Sequence, residues 1–111
     1  MHHTHARHVA PAVVDALRAA NSHDAAGFTD CFAVDAEVSG WGRPLVGRAA
    51  IRRWIEDIIV KDRIAMTDFI YAIADGDVLV HAQVSQRGHT EPTTFVFTVH
   101  DGLVRRLVVA S

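Results

Sequence analysis

An α+β fold is predicted for this chain by three observations. Apolar residues recur at helical spacing up to Arg63, period-two runs of β-branched and aromatic residues follow it, and Gly-containing turn sequences separate those runs. Helices first and hairpin-linked strands second imply three N-terminal helices packed in a cone against a curved, mostly antiparallel sheet. At 111 residues and 12.2 kDa the chain suits one domain, burying roughly two-thirds of its unfolded surface around a single core.

The first helix is read over Val9 to Ala20, where Val9, Val13, Ala16, Leu17 and Ala20 share a face and Pro11 sits in the tolerant first turn. After Asn21-Ser22-His23, Asp24 serves as the N-cap of a short second helix carrying Ala25, Phe28, Cys31 and Phe32. Asp35 is expected to cap the corner that follows Phe32. A brief strand is expected at Glu37–Ser39. The third helix begins after Gly47 and shows the stripe Ile51, Trp54, Ile55, Ile58 opposite Arg52, Arg53, Glu56 and Asp57. Its charges read as a solvated face, with Arg53–Asp57 and Asp57–Lys61 as i, i+4 pairs.

Four long strands follow near Ile64–Ala74, Val78–Arg87, Thr93–His100 and Leu103–Val109. Asp75-Gly76-Asp77, the Gly88–Pro92 loop and Asp101-Gly102 are short enough to demand antiparallel hairpins. The predicted order is therefore α-α-β-α-β-β-β-β, without internal repeat or linker. Residues 1–8 are read as a disordered, His-rich tail, and residues 9–111 as the single domain.

Composition excludes several classes of function. Formal charge is −2 and pI about 6.4, and no basic cluster exceeds Arg52-Arg53 or Arg105-Arg106, so a nucleic-acid partner has no electrostatic footprint. The lone Cys31 allows no internal disulfide, the first residues lack the apolar core of a signal peptide, and no run of roughly 18 apolar residues occurs. A cytoplasmic protein without membrane contact is expected. His2, His3, His5 and His8 offer no closed ligand geometry, so no metal is assigned, and no Gly-rich phosphate loop or nucleophile pairing points to a cofactor.

The stretch Asn21 to Arg48 carries the most specific signal: a short helix, the corner Phe32-Ala33-Val34-Asp35-Ala36-Glu37-Val38 into a strand, Trp41 between two glycines, and the Gly47-Arg48 helix start. Together with the ordered elements, which span about Val9 to Val109, it resembles the SnoaL-like branch of the nuclear transport factor 2-like superfamily, a cystatin-like α+β roll. The resemblance implies a conical cavity between helices and sheet, and a homodimer formed through the sheet face. It also allows comparison with the ketosteroid isomerases of that superfamily. Their tyrosine donor falls on Ala16, their base on Gly40, and their protonated acid on Phe95 or, with a one-residue loop shift, Thr94. Enolisation by that machinery would lack both oxyanion donor and carboxylate base.

Strand parity divides the second long strand into Val78, Val80, Ala82, Val84 facing the cavity and Leu79, His81, Gln83, Ser85 facing outward. The cavity lining expected from parity and helix stripes is Phe28, Phe32, Trp41, Trp54, Val80, Ala82, Val84, Phe95, Phe97, Leu107 and Val109, residues that would equally make a plain core. On the outer face, Phe69, Tyr71, His81, Gln83, Thr94, Val96 and Thr98 suit a dimer contact. Tyr71, His81 and His100 meet there if the hairpin turns are centred as read, as a candidate acid–base group. Asp68 shares the inward parity and could meet Gln86 near the wide end of the cone, as a carboxylate for proton transfer. The functional expectation is a protein that binds a small apolar molecule in a conical pocket, with a proton-transfer isomerase, cyclase or hydrolase as its catalytic form. The alternative is a non-catalytic ligand-binding or dimerisation module.

Overall fold

A computed structural model describes residues 9–40 and 42–110. The first helix, α1, spans Pro11–Asn21 and buries Ala12, Val13, Ala16, Leu17, Ala19 and Ala20. Helix α2, Ala25–Asp30, is capped as expected, the Asp24 carboxylate accepting from the Gly27 N–H at 2.9 Å. It stops two residues earlier than its apolar spacing suggests. Phe32 belongs instead to strand β1, Phe32–Gly40, because the Val104 N–H donates to the Cys31 carbonyl at 2.8 Å and Phe32 pairs with Val104. A sheet partner distant in sequence thus overrides a helical pattern.

Strand β1 runs nine residues rather than three, and a short β2, Gly42–Val46, follows it as an unforeseen antiparallel partner. Pro44 is tolerated there because β2 is an edge. Helix α3, Arg48–Val60, turns Ile51, Ile55, Ile58 and Ile59 into the core. On its exposed side Arg52 and Glu56 pair at 3.0 Å and Asp57 and Lys61 at 3.8 Å. The Arg48 Nε donates to the Phe32 carbonyl at 2.8 Å, which joins the helix start to β1.

Strands β3 (Ala65–Ala74), β4 (Asp77–Gln86), β5 (His89–His100) and β6 (Leu103–Ala110) complete a six-stranded sheet of order β2-β1-β6-β5-β4-β3. The meander is antiparallel and β1 joins β6 in parallel, so the sheet is mixed. The expected Gly88–Pro92 loop is replaced by a two-residue turn, Arg87-Gly88, with φ of 52° and 79°. Positive φ at both positions matches the strand twist, and Gly88 supplies the second at little cost. Pro92 enters β5 opposite Gln83, at a point where β6, which pairs from Thr94 onward, does not yet flank it.

A bulge in β3 changes which residues face which side. The register slips between Thr67 and Ile70, and Asp68 takes φ +58°. The slip affects only the residues before Ile70 and sets Met66 opposite Val84 on the inner side. On the other side of the bulge the two-residue turn Asp75-Gly76, pairing Ala74 with Asp77, places Tyr71 opposite Val80 on the inner side and Ile70 opposite His81 on the outer side. Phe69 and Tyr71 stack with ring centroids 6.2 Å apart and leave the outer face to which parity had assigned them.

Helices and sheet close over one core, with Phe32, Phe97, Ile51, Ile55, Leu107 and Val80 almost fully buried. At the helix–sheet seam, the Asn21 amide behaves as a strand partner: its Nδ2 donates to the Met66 carbonyl and its Oδ1 accepts from the Met66 N–H, both at 2.8 Å. Two such bonds are together worth about 1–3 kcal/mol and fix the end of α1 against the edge of the sheet.

Candidate functional site

Near the wide end of the cone, the end of β1, the start of β2, the last two turns of α3 and the end of β4 enclose a groove of about 430 Å³. Its lining comprises Gly40, Gly42, Trp54, Asp57, Ile58, Asp62 and Gln86. Asp62 lies just beyond the C-cap of α3 and is clasped by the β4–β5 turn. Its carbonyl accepts from the Arg87 N–H at 3.1 Å, its Oδ1 from Arg87 Nε at 2.8 Å, and its Oδ2 from Gln86 Nε2 at 3.3 Å. Each carboxylate oxygen keeps a lone pair free of these bonds, so Asp62 can still accept from a ligand O–H or N–H. Asp57, by contrast, is well exposed beside Lys61.

A second space, of about 20 Å³ with wholly apolar walls, shares Trp54 with the groove. Phe28, Trp54, Phe95, Phe97 and Leu107 line it, together with Leu17, Ala20, Ile55, Ile64 and Met66. Phe28 stands 6.1 Å from Trp54 and 4.9 Å from Phe32, ring centre to ring centre. Phe32, Val80, Ala82, Val84 and Val109 are buried as core. Trp41 and the histidines of residues 1–8 lie outside the described residues.

The acid–base candidates are not brought together. His81 Nδ1 lies 2.8 Å from Thr94 Oγ1 on the outer face, whereas His100 sits at the β5–β6 turn beside Asp101 at 3.3 Å. Thr94 and His100 are six residues apart along β5, about 20 Å. Tyr71 is on the inner side, where burial pushes its phenol pKa up against a smaller opposing effect of Arg18. Asp68 is exposed on the bulge, and Gln86 reaches Asp62 rather than Asp68. Asp35 is exposed within β1, 3.7 Å from Arg105, rather than capping a corner. At the three positions compared with ketosteroid isomerases, Ala16 and Phe95 are buried and Gly40 lines the groove. Burial, reinforced by Asp15 and Asp30, raises the Cys31 thiol pKa and keeps it protonated.

Sequence reasoning missed Asp62. Between Lys61 and Arg63 it reads as one more solvated charge after a helix, and its partners lie 24 and 25 positions away. Among the described residues, no group of three or more His, Cys, Asp or Glu side chains could hold a metal, and no helix is long and apolar enough to cross a membrane.

Family comparison matches residues 13–107 to the SnoaL-like domain. The chain belongs to the SnoaL-like domain family. Among solved structures, this SnoaL-like domain is similar to a proposed polyketide cyclase from Sinorhizobium meliloti, at 27% identity and TM-score 0.85, covering 91% of this chain and 94% of that one. A proposed polyketide cyclase from Xanthomonas campestris pv. campestris gives 20% identity and TM-score 0.82 over 95% and 90% of the two chains. A proposed ketosteroid isomerase from Kribbella flavida gives 15% and 0.81 over 94% and 77%. The last two show a shared fold alone. Comparison with curated protein sequences gives no match. The α+β roll expected of a SnoaL-like domain is therefore the fold observed, with β2 added at its edge.

Proposed function

We propose that this SnoaL-like domain binds a small, mostly apolar molecule in the groove at the mouth of the cone, with a hydroxyl or N–H of that molecule donated to Asp62. The observation that carries this reading is the position of an anchored carboxylate beside Trp54 and Ile58, at the rim of an apolar interior. A groove of about 430 Å³ falls within the range of small-molecule sites, which combine apolar walls with a few placed polar groups. The similarity to the proposed polyketide cyclase from Sinorhizobium meliloti supports a ring-sized, weakly polar ligand. In the catalytic form of this reading Asp62 is the proton acceptor, because it is the groove carboxylate with little exposure and both oxygens oriented. The single cysteine accords with a cytoplasmic setting.

The test uses 2-naphthol, a flat apolar bicycle with one hydroxyl, followed by its own fluorescence. Saturable binding to the protein is expected, weakened about tenfold or more by Asp62→Asn, which keeps the shape but removes the charge. Equal affinity in the two proteins, with circular dichroism unchanged, would refute the assignment of Asp62.

The reading includes a homodimer through the outer sheet face. Ala72, Leu79, Val96 and Val108 are directly paired across four strands, forming an apolar row that Ile70, 65% exposed, widens along the edge strand β3. Such a row suits the core of a self-complementary contact. Sedimentation velocity should give a dimer for the protein and a folded monomer for Val96→Glu; a monomeric parent protein would refute the pairing.

A further inference from the structure

Strand β3 ends the sheet on the side opposite β2, and from Phe69 to Ala74 it reads Phe-Ile-Tyr-Ala-Ile-Ala. A strand apolar on both faces is ordinarily a central, covered one. Here Ile70 on the outer side and Tyr71 and Ile73 on the inner side are exposed, three of the five exposed large apolar side chains among the described residues. No Lys, Arg or Pro interrupts the run, so beyond the bulge at Asp68 it carries none of the residues that usually blunt an edge. We propose that this edge docks an extended segment of another protein, apolar in its middle and basic at each end, which adds to the sheet as a further strand.

The backbone groups for such a strand are in place. Ala74 pairs with Asp77 across a two-residue turn, so that pair exchanges both of its backbone bonds, and alternation gives the same to Ala72 with Leu79 and Ile70 with His81. The N–H and C=O of Tyr71 and Ile73 therefore point away from β4, to the side on which β3 has no neighbouring strand. Before the bulge the corresponding groups belong to Met66, and the Asn21 amide already takes both. The edge is thus covered at Met66 and open beyond the bulge. Charge selects the partner. The charged residues between Ile64 and Val78 are Asp68, Asp75 and Asp77, all acidic. Asp77 accepts from Thr98 Oγ1 at 3.0 Å, whereas Asp68 and Asp75 are exposed at the two ends of the open run. Arg18 of α1 acts on the Tyr71 phenol, at the middle of the run rather than its ends. Two cations with the spacing of Asp68 and Asp75, about 20 Å, would meet both carboxylates whichever way the segment runs. A second copy of β3 suits the edge less well, because antiparallel pairing would bring the same acidic ends together.

The probe is the peptide acetyl-Lys-Val-Thr-Val-Thr-Val-Thr-Lys-amide, compared with the same peptide ended by Glu and followed by amide NMR and hydrogen exchange of the protein. Saturable shifts at Tyr71 and Ile73 are expected, with slowed exchange of those two amides. Each exposed ion pair is weak, but two of them change from attraction to repulsion between the peptides, so the Lys-ended one should bind about tenfold more tightly at low ionic strength, less so in salt. Ile73→Pro removes an outward N–H and no bond to β4, so it should keep the fold and lose the peptide. Replacing both Asp68 and Asp75 by Asn, which accepts positive φ, covers a failure of Ile73→Pro to fold and should make the two peptides bind alike. Equal affinity of the parent for the two peptides, or no binding of either, would overturn the proposal. Protection of the Tyr71 and Ile73 amides without peptide, lost on dilution, would assign the edge to a second copy and overturn it as well.

Discussion

Replacing Phe97 by Ala should lower the stability of the domain by about 3–5 kcal/mol, a large part of the 5–15 kcal/mol typical of small proteins. Phe97 is 1% exposed, pairs with Val78 on one side and Leu107 on the other, and lies 6.3 Å from the Phe95 ring. Strands on both sides keep the backbone from collapsing into the space, so the cavity term is added to the lost transfer energy. A domain of this size melts about 4–8 °C lower per kcal/mol lost, which puts the expected shift on the order of 20 °C. Urea denaturation gives the free energy directly. A loss below about 1 kcal/mol would mean that the small apolar space it lines already leaves Phe97 loosely packed.

Gly40→Ala should cost about 3 kcal/mol or more, and it should also abolish ligand binding at the groove. Two effects combine at this position. Gly40 has φ +105°, where a Cβ is strained, and that Cβ would fall on the Val109 carbonyl of β6. Relief requires β1 and β6 to part at the end of their parallel pairing, next to Ser39 and Val108. Gly42→Ala is the control, since Gly42 has φ +84° but a Cβ there meets nothing within 4 Å. It should incur only the conformational strain, about 1–2 kcal/mol. Equal losses for the two variants, measured in the same denaturant series, would show that the approach of Val109 is not what requires glycine at position 40.

How much of this was legible in the sequence follows from the range of the interactions involved. The helices, the four-strand meander and the Asp24 cap rest on local patterns, and each is present. The length of β1 and the release of Phe32 from α2 depend on pairing with β6, more than 70 positions downstream in the register Phe32↔Val104. The β3–β4 turn holds two residues, Asp75-Gly76, instead of the expected Asp75-Gly76-Asp77, and this one-residue difference in register turns Tyr71 inward and Ile70 outward, so the expected acid–base cluster is lost. The apolar lining of the cone was readable from strand parity and helix stripes, because inward-facing residues must be apolar whatever their partners. Asp62 was not readable: its significance arises only when a two-residue turn brings Gln86 and Arg87 back to the end of α3.

The ligand site can be tested most directly by amide NMR of the parent protein titrated with 2-naphthol. Saturable shifts centred on Gly40, Gly42, Ile58, Asp62 and Gln86 are expected. Shifts confined to Leu79, Val96 and Val108 on the outer sheet face, or no shifts at all, would contradict the groove as the ligand site.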